Sequence, residues 1–369
     1  MAAEERDIPP ARIPLVMPEA QPHPMLTRGA LVCGAISLGL IAGNLGLPAF
    51  GLGFIIAVVP VPVYVILALW LDRFEPEPPR MLATTFLWGA TVAAAFALLA
   101  NSVVDAVARD AVGDLGGLLT TVLWAPVVEE LAKGVALVLL LFQASDEFDG
   151  LTDGVVYAAM VGLGFAMLEN VQYYGRAVAE GPDASLGVFL LRGVVAPFAH
   201  PLFTAMTGIG LGIARERPGT ARAALAPFAG FAAAVVLHAG WNLAASLDAA
   251  FAPTYVVVML PVFVGTLALV RRSLGREARV LRDQLAPLVA EGTLTDAELH
   301  ALCTLRGRAE AALQAARAHG LTGWRRRAAF HRAAADLAFV RWRAARRGVA
   351  CVEVEEIHLV RLRELRGPP

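Results

Sequence analysis

Charge is scarce in this chain of 369 residues: Asp, Glu, Lys and Arg together make up 17%, against roughly 25% in an ordinary soluble domain. Set beside 57% hydrophobic residues and a mean hydropathy of +0.61, that scarcity argues against a water-soluble globule. Cysteine is nearly absent too. Cys33, Cys303 and Cys351 are too few and too scattered for a disulfide framework or a thiolate metal site. Two of them fall in a predicted cytoplasmic tail, where thiols stay reduced. Lysine occurs once, at Lys133, among 31 Lys plus Arg. The polar, proline-rich start to Pro24 lacks an apolar region followed by a small-residue cleavage site, so no removable signal peptide is expected. No nucleic-acid-binding motif stands out.

What the chain has is long apolar runs, near residues 29–49, 51–71, 84–106, 117–142, 153–174, 187–214, 222–246 and 255–271. Each can cross a hydrocarbon core of about 30 Å, which takes roughly 20 residues of helix. The expected fold is therefore all-α, a polytopic membrane bundle of about eight transmembrane helices. A flexible cytoplasmic arm is expected over residues 1–28, a membrane domain over 29–271 and an Arg-rich, helical cytoplasmic tail over 272–369. Arginine collects on one side of this topology, at Arg12, Arg28, Arg73, Arg80, Arg215, Arg217, Arg271 and Arg272, with Arg109 and Arg176 opposite. The positive-inside bias then places both termini in the cytoplasm. In the tail, Thr295 and Glu298 form a capping-box signature, and the helix it opens should stop at His319-Gly320. A second helix is expected from about Trp324 to Arg347 and a third from near Val352. The tail's net charge of roughly +7 suits either a solvated appendage or one held near anionic lipid heads.

Ionisable groups inside transmembrane helices cost about 2.5–3.5 kcal/mol each on insertion scales, so a span carrying several needs somewhere polar to put them. The fourth span carries Glu129, Glu130 and Lys133. Glu129 and Lys133 stand four apart on one helical face, with Glu130 about 100° round, so one pair can neutralise charge while the other carboxylate faces a cavity. A compact ammonium there suggests a slot that arginine's fork would not serve. Glu169 lies deep in the fifth span, whereas Asp153 at its start reads as a helix N-cap. His200 sits between Pro197 and Pro201 in the sixth span, where freed carbonyls require neighbours or water. His238 and Asn242 share a face of the seventh. Trp241 reads as packing, and Gly208, Gly210 and Gly212 as a close helix approach.

Two histidines and a carboxylate suit zinc, with a fourth position left for water. A further glutamate could take the water's proton, which amounts to peptide hydrolysis. The same inventory would also serve an ion- or proton-coupled transporter or channel. No motif occurs in a second copy, as the repeats of many transporters would require. An inactive scaffold is a third reading, against which the full set of costly polar groups counts.

Four ordered motifs carry a resemblance. Glu129-Glu130-x-x-Lys133, Phe165-x-x-x-Glu169, His200-x-x-Phe203-Thr204 and His238-x-x-Trp241-Asn242, on successive spans, resemble the PrsW family of bacterial intramembrane proteases. The loop Asp72-Arg73-Phe74-Glu75-Pro76-Glu77-Pro78 is similar too, and the resemblance covers roughly residues 30–270. It implies membership of the wider superfamily of CAAX-processing membrane proteases, from whose pattern this chain departs by having Glu169 where relatives have histidine. It implies an intramembrane endopeptidase of the bacterial plasma membrane, cleaving a single-span protein such as a membrane-spanning anti-sigma factor. Carried over, Glu129 would be the base, Glu130 its partner and Asn242 the oxyanion donor. Glu169, His200 and His238 would hold the metal, with Lys133 in support. The partners implied are the bilayer and the substrate.

Overall fold

The computed structural model describes residues 24–145, 147–348 and 352–366. Most of the expected N-terminal arm, and Cys351, lie outside the described residues. The described residues are helical, with no strand among them. Two compact units divide the chain, one within Ala20–Glu277 and one within Ala278–Pro369.

The first unit is built from eight helical stretches. They are α1 (Pro24–Leu45), α2 (Leu47–Leu71), α3 (Pro79–Val112), α4 (Asp114–Leu119, Thr120–Trp124 and Ala125–Gln143 in succession), α5 (Leu151–Glu180), α6 (Pro182–Glu216), α7 (Ala221–Ser246) and α8 (Phe251–Ala290), whose residues from Ala278 belong to the second unit. Among the described residues, seven helices are long and apolar enough to cross a membrane. The expected fourth span is the exception. It exists as α4, but its middle is occupied by Glu129, Glu130 and Lys133, all buried against the neighbouring helices.

Burial is distributed as lipid solvation demands. Leu31, Leu47, Ile55, Ile66, Val103, Phe228 and Val257 point outward, since a bilayer gives no hydrophobic reason to bury them and helix association rests on close packing and polar contacts. The central helix is α5, buried along most of its length. It meets α6 backbone to backbone: a Cβ on Gly208 would lie 2.0 Å from the Gly154 carbonyl oxygen. The small-residue reading of that stretch therefore holds. Asp153 differs from its expected place, because it occupies the third helical residue. From there its carboxylate accepts from the Asp149 and Gly150 N–H groups at 2.9 and 2.8 Å, capping the helix from within.

The second unit has its own core of Leu281, Leu285, Leu288, Leu302, Phe330, Leu337 and Leu362. The Thr295/Glu298 capping box is present, but the helix it opens, α9 (Asp296–Leu302), is shorter than expected. Thr304 caps a new helix, α10 (Leu305–Arg347), by accepting from Gly307 N–H. The expected stop at His319-Gly320 is a kink within α10, with Gly320 at φ 60°. The last helix is α11 (Val352–Arg366).

Candidate active site

Prolines prepare the helices that carry the site. In α4, Thr120–Trp124 is a π-helical turn, with Ala125 N–H bonded to the Thr120 carbonyl. The next donor in that register would be residue 126, which is proline and has none. The stranded Thr121 carbonyl is met from α7 by Asn242 Nδ2 at 2.9 Å. In α6, a second π-helical turn, Leu190–Val195, precedes Pro197. There Tyr64 donates to the Gly193 carbonyl at 2.7 Å and Tyr255 to the Val195 carbonyl at 2.8 Å. Freed backbone groups inside a membrane are tolerated on such terms, and π-turns recur at functional sites.

Glu130 and Lys133 form the fixed centre. Both side chains are fully buried. Lys133 Nζ donates to Glu130 Oε1 at 2.7 Å and lies 4.0 Å from the centre of the Phe165 ring. Glu129 Oε2 is farther, at 3.9 Å. The charge-neutralising pair is thus Glu130–Lys133, three apart, and Glu129 is the carboxylate that faces the cavity. Cross-helix partners decide this, for Glu130 also receives His238 Nδ1 at 2.9 Å and the Thr204 hydroxyl at 3.2 Å.

These contacts assign the histidine protons. A carboxylate only accepts, so His238 carries its proton on Nδ1 and keeps a lone pair on Nε2. That nitrogen faces Glu129 Oε2 at 3.7 Å. An ammonium only donates, so His200 Nδ1 accepts from Lys133 at 3.1 Å, and Nε2–H donates to Glu169 Oε2 at 2.8 Å. Phe203 stacks on His238, ring centres 4.7 Å apart, and Phe165 lies 5.2 Å from His200. Trp241 packs on Phe251 and Phe203, as its packing role requires.

One carboxylate oxygen is left over. Glu129 Oε1 accepts from Asn101 at 3.2 Å, but Oε2 is buried with no hydrogen-bond partner, a costly condition unless something else occupies its lone pairs. Among the described residues, Glu129, His200 and His238 can each offer one ligand atom with all three within 4.8 Å of one another. Two imidazoles and a carboxylate are a zinc-type donor set, so these residues fit a divalent metal. Glu169 is engaged differently: it pairs with Arg192, whose Nε donates to Asn170 at 2.6 Å and whose guanidinium lies 3.7 Å from the Tyr173 ring centre.

A cavity of about 320 Å³ reaches the cluster between α3, α4, α5 and α7. Glu129, Glu169 and Asn242 line it, and Asn101, Ser102, Asp105, Gln172 and Arg176 make its wall polar. Sequence reasoning passed over Arg192 and Asn101, although Arg192 carries the same signal as the glutamates, a charge inside a predicted span.

The fold and this centre define a polytopic membrane protein in which four helices share a buried acid–histidine cluster. A family model described as "PrsW family intramembrane metalloprotease" matches residues 77–266, which include the whole cluster. The chain belongs to the PrsW family. It is 30% identical over 149 residues to Protease PrsW of Geobacillus kaustophilus (39% of this chain, 58% of the relative) and 28% identical over 155 residues to Protease PrsW of Clostridioides difficile (42% and 63%). Protease PrsW of Bacillus subtilis is 29% identical over 151 residues (41% and 63%). The matched region spans about three fifths of these curated relatives. No solved structure matches.

Proposed function

We propose that this protein is an intramembrane metalloendopeptidase that hydrolyses a peptide bond in a single-span membrane protein, an anti-sigma factor being the substrate class the family suggests. The observation that carries this reading is Glu129 Oε2, a buried acceptor without a hydrogen bond, facing the His238 Nε2 lone pair at the polar cavity. Glu129, His200 and His238 would hold the metal, which when bound supplies Lewis-acid polarisation and lowers the pKa of water.

The remaining residues do the positioning and move protons. Glu130 holds His238 by its Nδ1–H, the outer contact that fixes a ligating imidazole. Glu169 already receives the His200 Nε2–H. For His200 to serve as a ligand that proton would have to leave through Glu169 to the solvent of the polar cavity, as metal binding releases protons; Glu169, a carboxylate again at the cavity wall, would then accept one from the attacking water. Arg192 and Asn170 fix it there. Asn242 has one N–H committed to Thr121 and leaves its second for a developing oxyanion. Relative to the roles implied by the family resemblance, Glu129 and Glu169 are exchanged. Both termini are assigned to the cytoplasm, on the arginine distribution.

The test is metal content by mass spectrometry together with cleavage of a single-span anti-sigma factor co-reconstituted in liposomes. Glu129→Gln and His238→Ala should lose both metal and cleavage, while Glu169→Gln keeps metal and loses cleavage. If Glu129→Gln keeps the metal and Glu169→Gln loses it, the two glutamates revert to the other assignment. Full cleavage by folded Glu129→Gln and Glu169→Gln would refute the protease centre.

A further inference from the structure

Apart from the cavity at the acid–histidine cluster, α6, α7 and α8 enclose a second space. The beginning of α8 packs firmly on the other two: Met259 is buried, and Phe263 stacks on Phe198 with ring centres 4.4 Å apart. Toward their other ends α6 and α7 stay in backbone contact, where a Cβ on Gly210 would meet the Ala226 carbonyl oxygen at 2.3 Å. Between that pair and α8 lies a wedge-shaped cavity of about 750 Å³, lined by Met206, Ile213, Leu225, Ala229, Ala233 and Leu269. Its charged lining is Glu216, Arg217, Arg222 and Arg276. Arg276 is bonded to Glu216 at 2.6 Å and to the Ser273 hydroxyl at 3.1 Å. Arg217 and Arg222 are exposed and, among the described residues, make no ion pair. This is the arginine-rich end of the bundle, with Arg215 and Arg271 nearby in sequence.

We propose that this wedge is a binding site for an anionic phospholipid, an acyl chain filling the apolar space and the phosphodiester meeting Arg217 and Arg222. The volume lies within the range of small-molecule sites, about 300–1,000 Å³. Guanidinium is the side chain best matched to phosphate oxygens, and basic pockets between transmembrane helices are a recurrent way of holding acidic headgroups. Two arginines without a carboxylate partner at the rim of an apolar slot select for negative charge. A neutral lipid would fill the slot and leave both uncompensated. The inference rests only on the membrane-spanning fold, so it stands or falls apart from the protease reading.

Native mass spectrometry of the delipidated full chain tests it, with dioleoylphosphatidylglycerol and dioleoylphosphatidylcholine as probes. Each arginine near the membrane surface contributes about fivefold, so wild type should prefer the anionic lipid by roughly 25-fold. The double variant Arg217→Gln/Arg222→Gln should bind both lipids alike, and Ala233→Phe, which fills the wedge, should weaken both. Excess sn-glycerol 3-phosphate should displace neither, because the acyl chain supplies the fit. Unchanged melting temperatures confirm that the variants fold. Equal binding of the two lipids by wild type overturns the proposal, as does undiminished selectivity in the double variant. So does a folded Ala233→Phe variant that binds both lipids as wild type does, which would place the acyl chain elsewhere.

Discussion

Removing the Lys133 ammonium isolates what the buried pair contributes. In Lys133→Met the chain keeps a side chain of similar length, but Glu130 loses the cation at 2.7 Å and His200 Nδ1 loses its donor at 3.1 Å. With neither partner of the Glu130–Lys133 pair exposed, water cannot replace what is lost. Breaking such a pair costs about 3–5 kcal/mol, because a charge is left buried without compensation. Glu130 retains His238 and Thr204, which places the expected loss toward about 3 kcal/mol. The double variant Lys133→Met/Glu130→Gln removes both charges, and replacing a whole buried pair is often close to neutral. It should therefore be more stable than the sum of the single losses implies, by a coupling of about 1–3 kcal/mol. The assay is reversible unfolding in mixed micelles, followed by tryptophan fluorescence. Additive single losses would show that the two groups do not sense one another. A Lys133→Met variant within about 0.5 kcal/mol of wild type would show that the ammonium compensates nothing, since a broken buried pair costs several times that.

Two further outcomes are expected. Gly208→Val should prevent α5 and α6 from closing, since its Cβ would stand 2.0 Å from the Gly154 oxygen, whereas Gly240→Val, with open space around the same atom, should accumulate and melt like wild type; comparing the two melting temperatures checks this. Burial, then the charges of Asp153 and Asp72, hold the Glu77 carboxyl well above its ordinary value of 4.5. Its folded pKa is raised, so the stability it contributes is complete below 4.5 and is lost as pH rises through the folded value. Denaturation between pH 5 and pH 9 should show that decline, and Glu77→Gln should flatten it.

The helices were legible in the sequence because a bilayer imposes a minimum apolar length, and every expected span corresponds to a helix. Their ends were less so. The span expected at 84–106 is Pro79–Val112, and the one expected at 255–271 runs to Ala290, because a helix continues past the hydrocarbon wherever its backbone bonds are still satisfied. Within the site, the cost of intramembrane charge marked Glu129, Glu130, Lys133 and Glu169 one by one. Their pairing was not legible: residues three and four apart on a helix are equally reachable, and His238 and Thr204, from two other helices, decide in favour of Glu130. The same cost rule applied to Arg192 would have found Glu169's partner.

The prolines connect these observations. A kink alone would account for Pro126 and Pro197, yet each follows a π-turn whose stranded carbonyls are taken up by side chains from other helices. The site helices α4 and α7 are thereby joined through Thr121 and Asn242, about two turns from Glu129 and one turn from His238, which face each other across the cluster. A helix without proline would satisfy its own backbone and leave Asn242 nothing to hold. Forfeiting one backbone bond in α4 therefore turns a local defect into a contact between two helices that each bear a proposed metal ligand. Rigid placement of such ligands is what a working site requires.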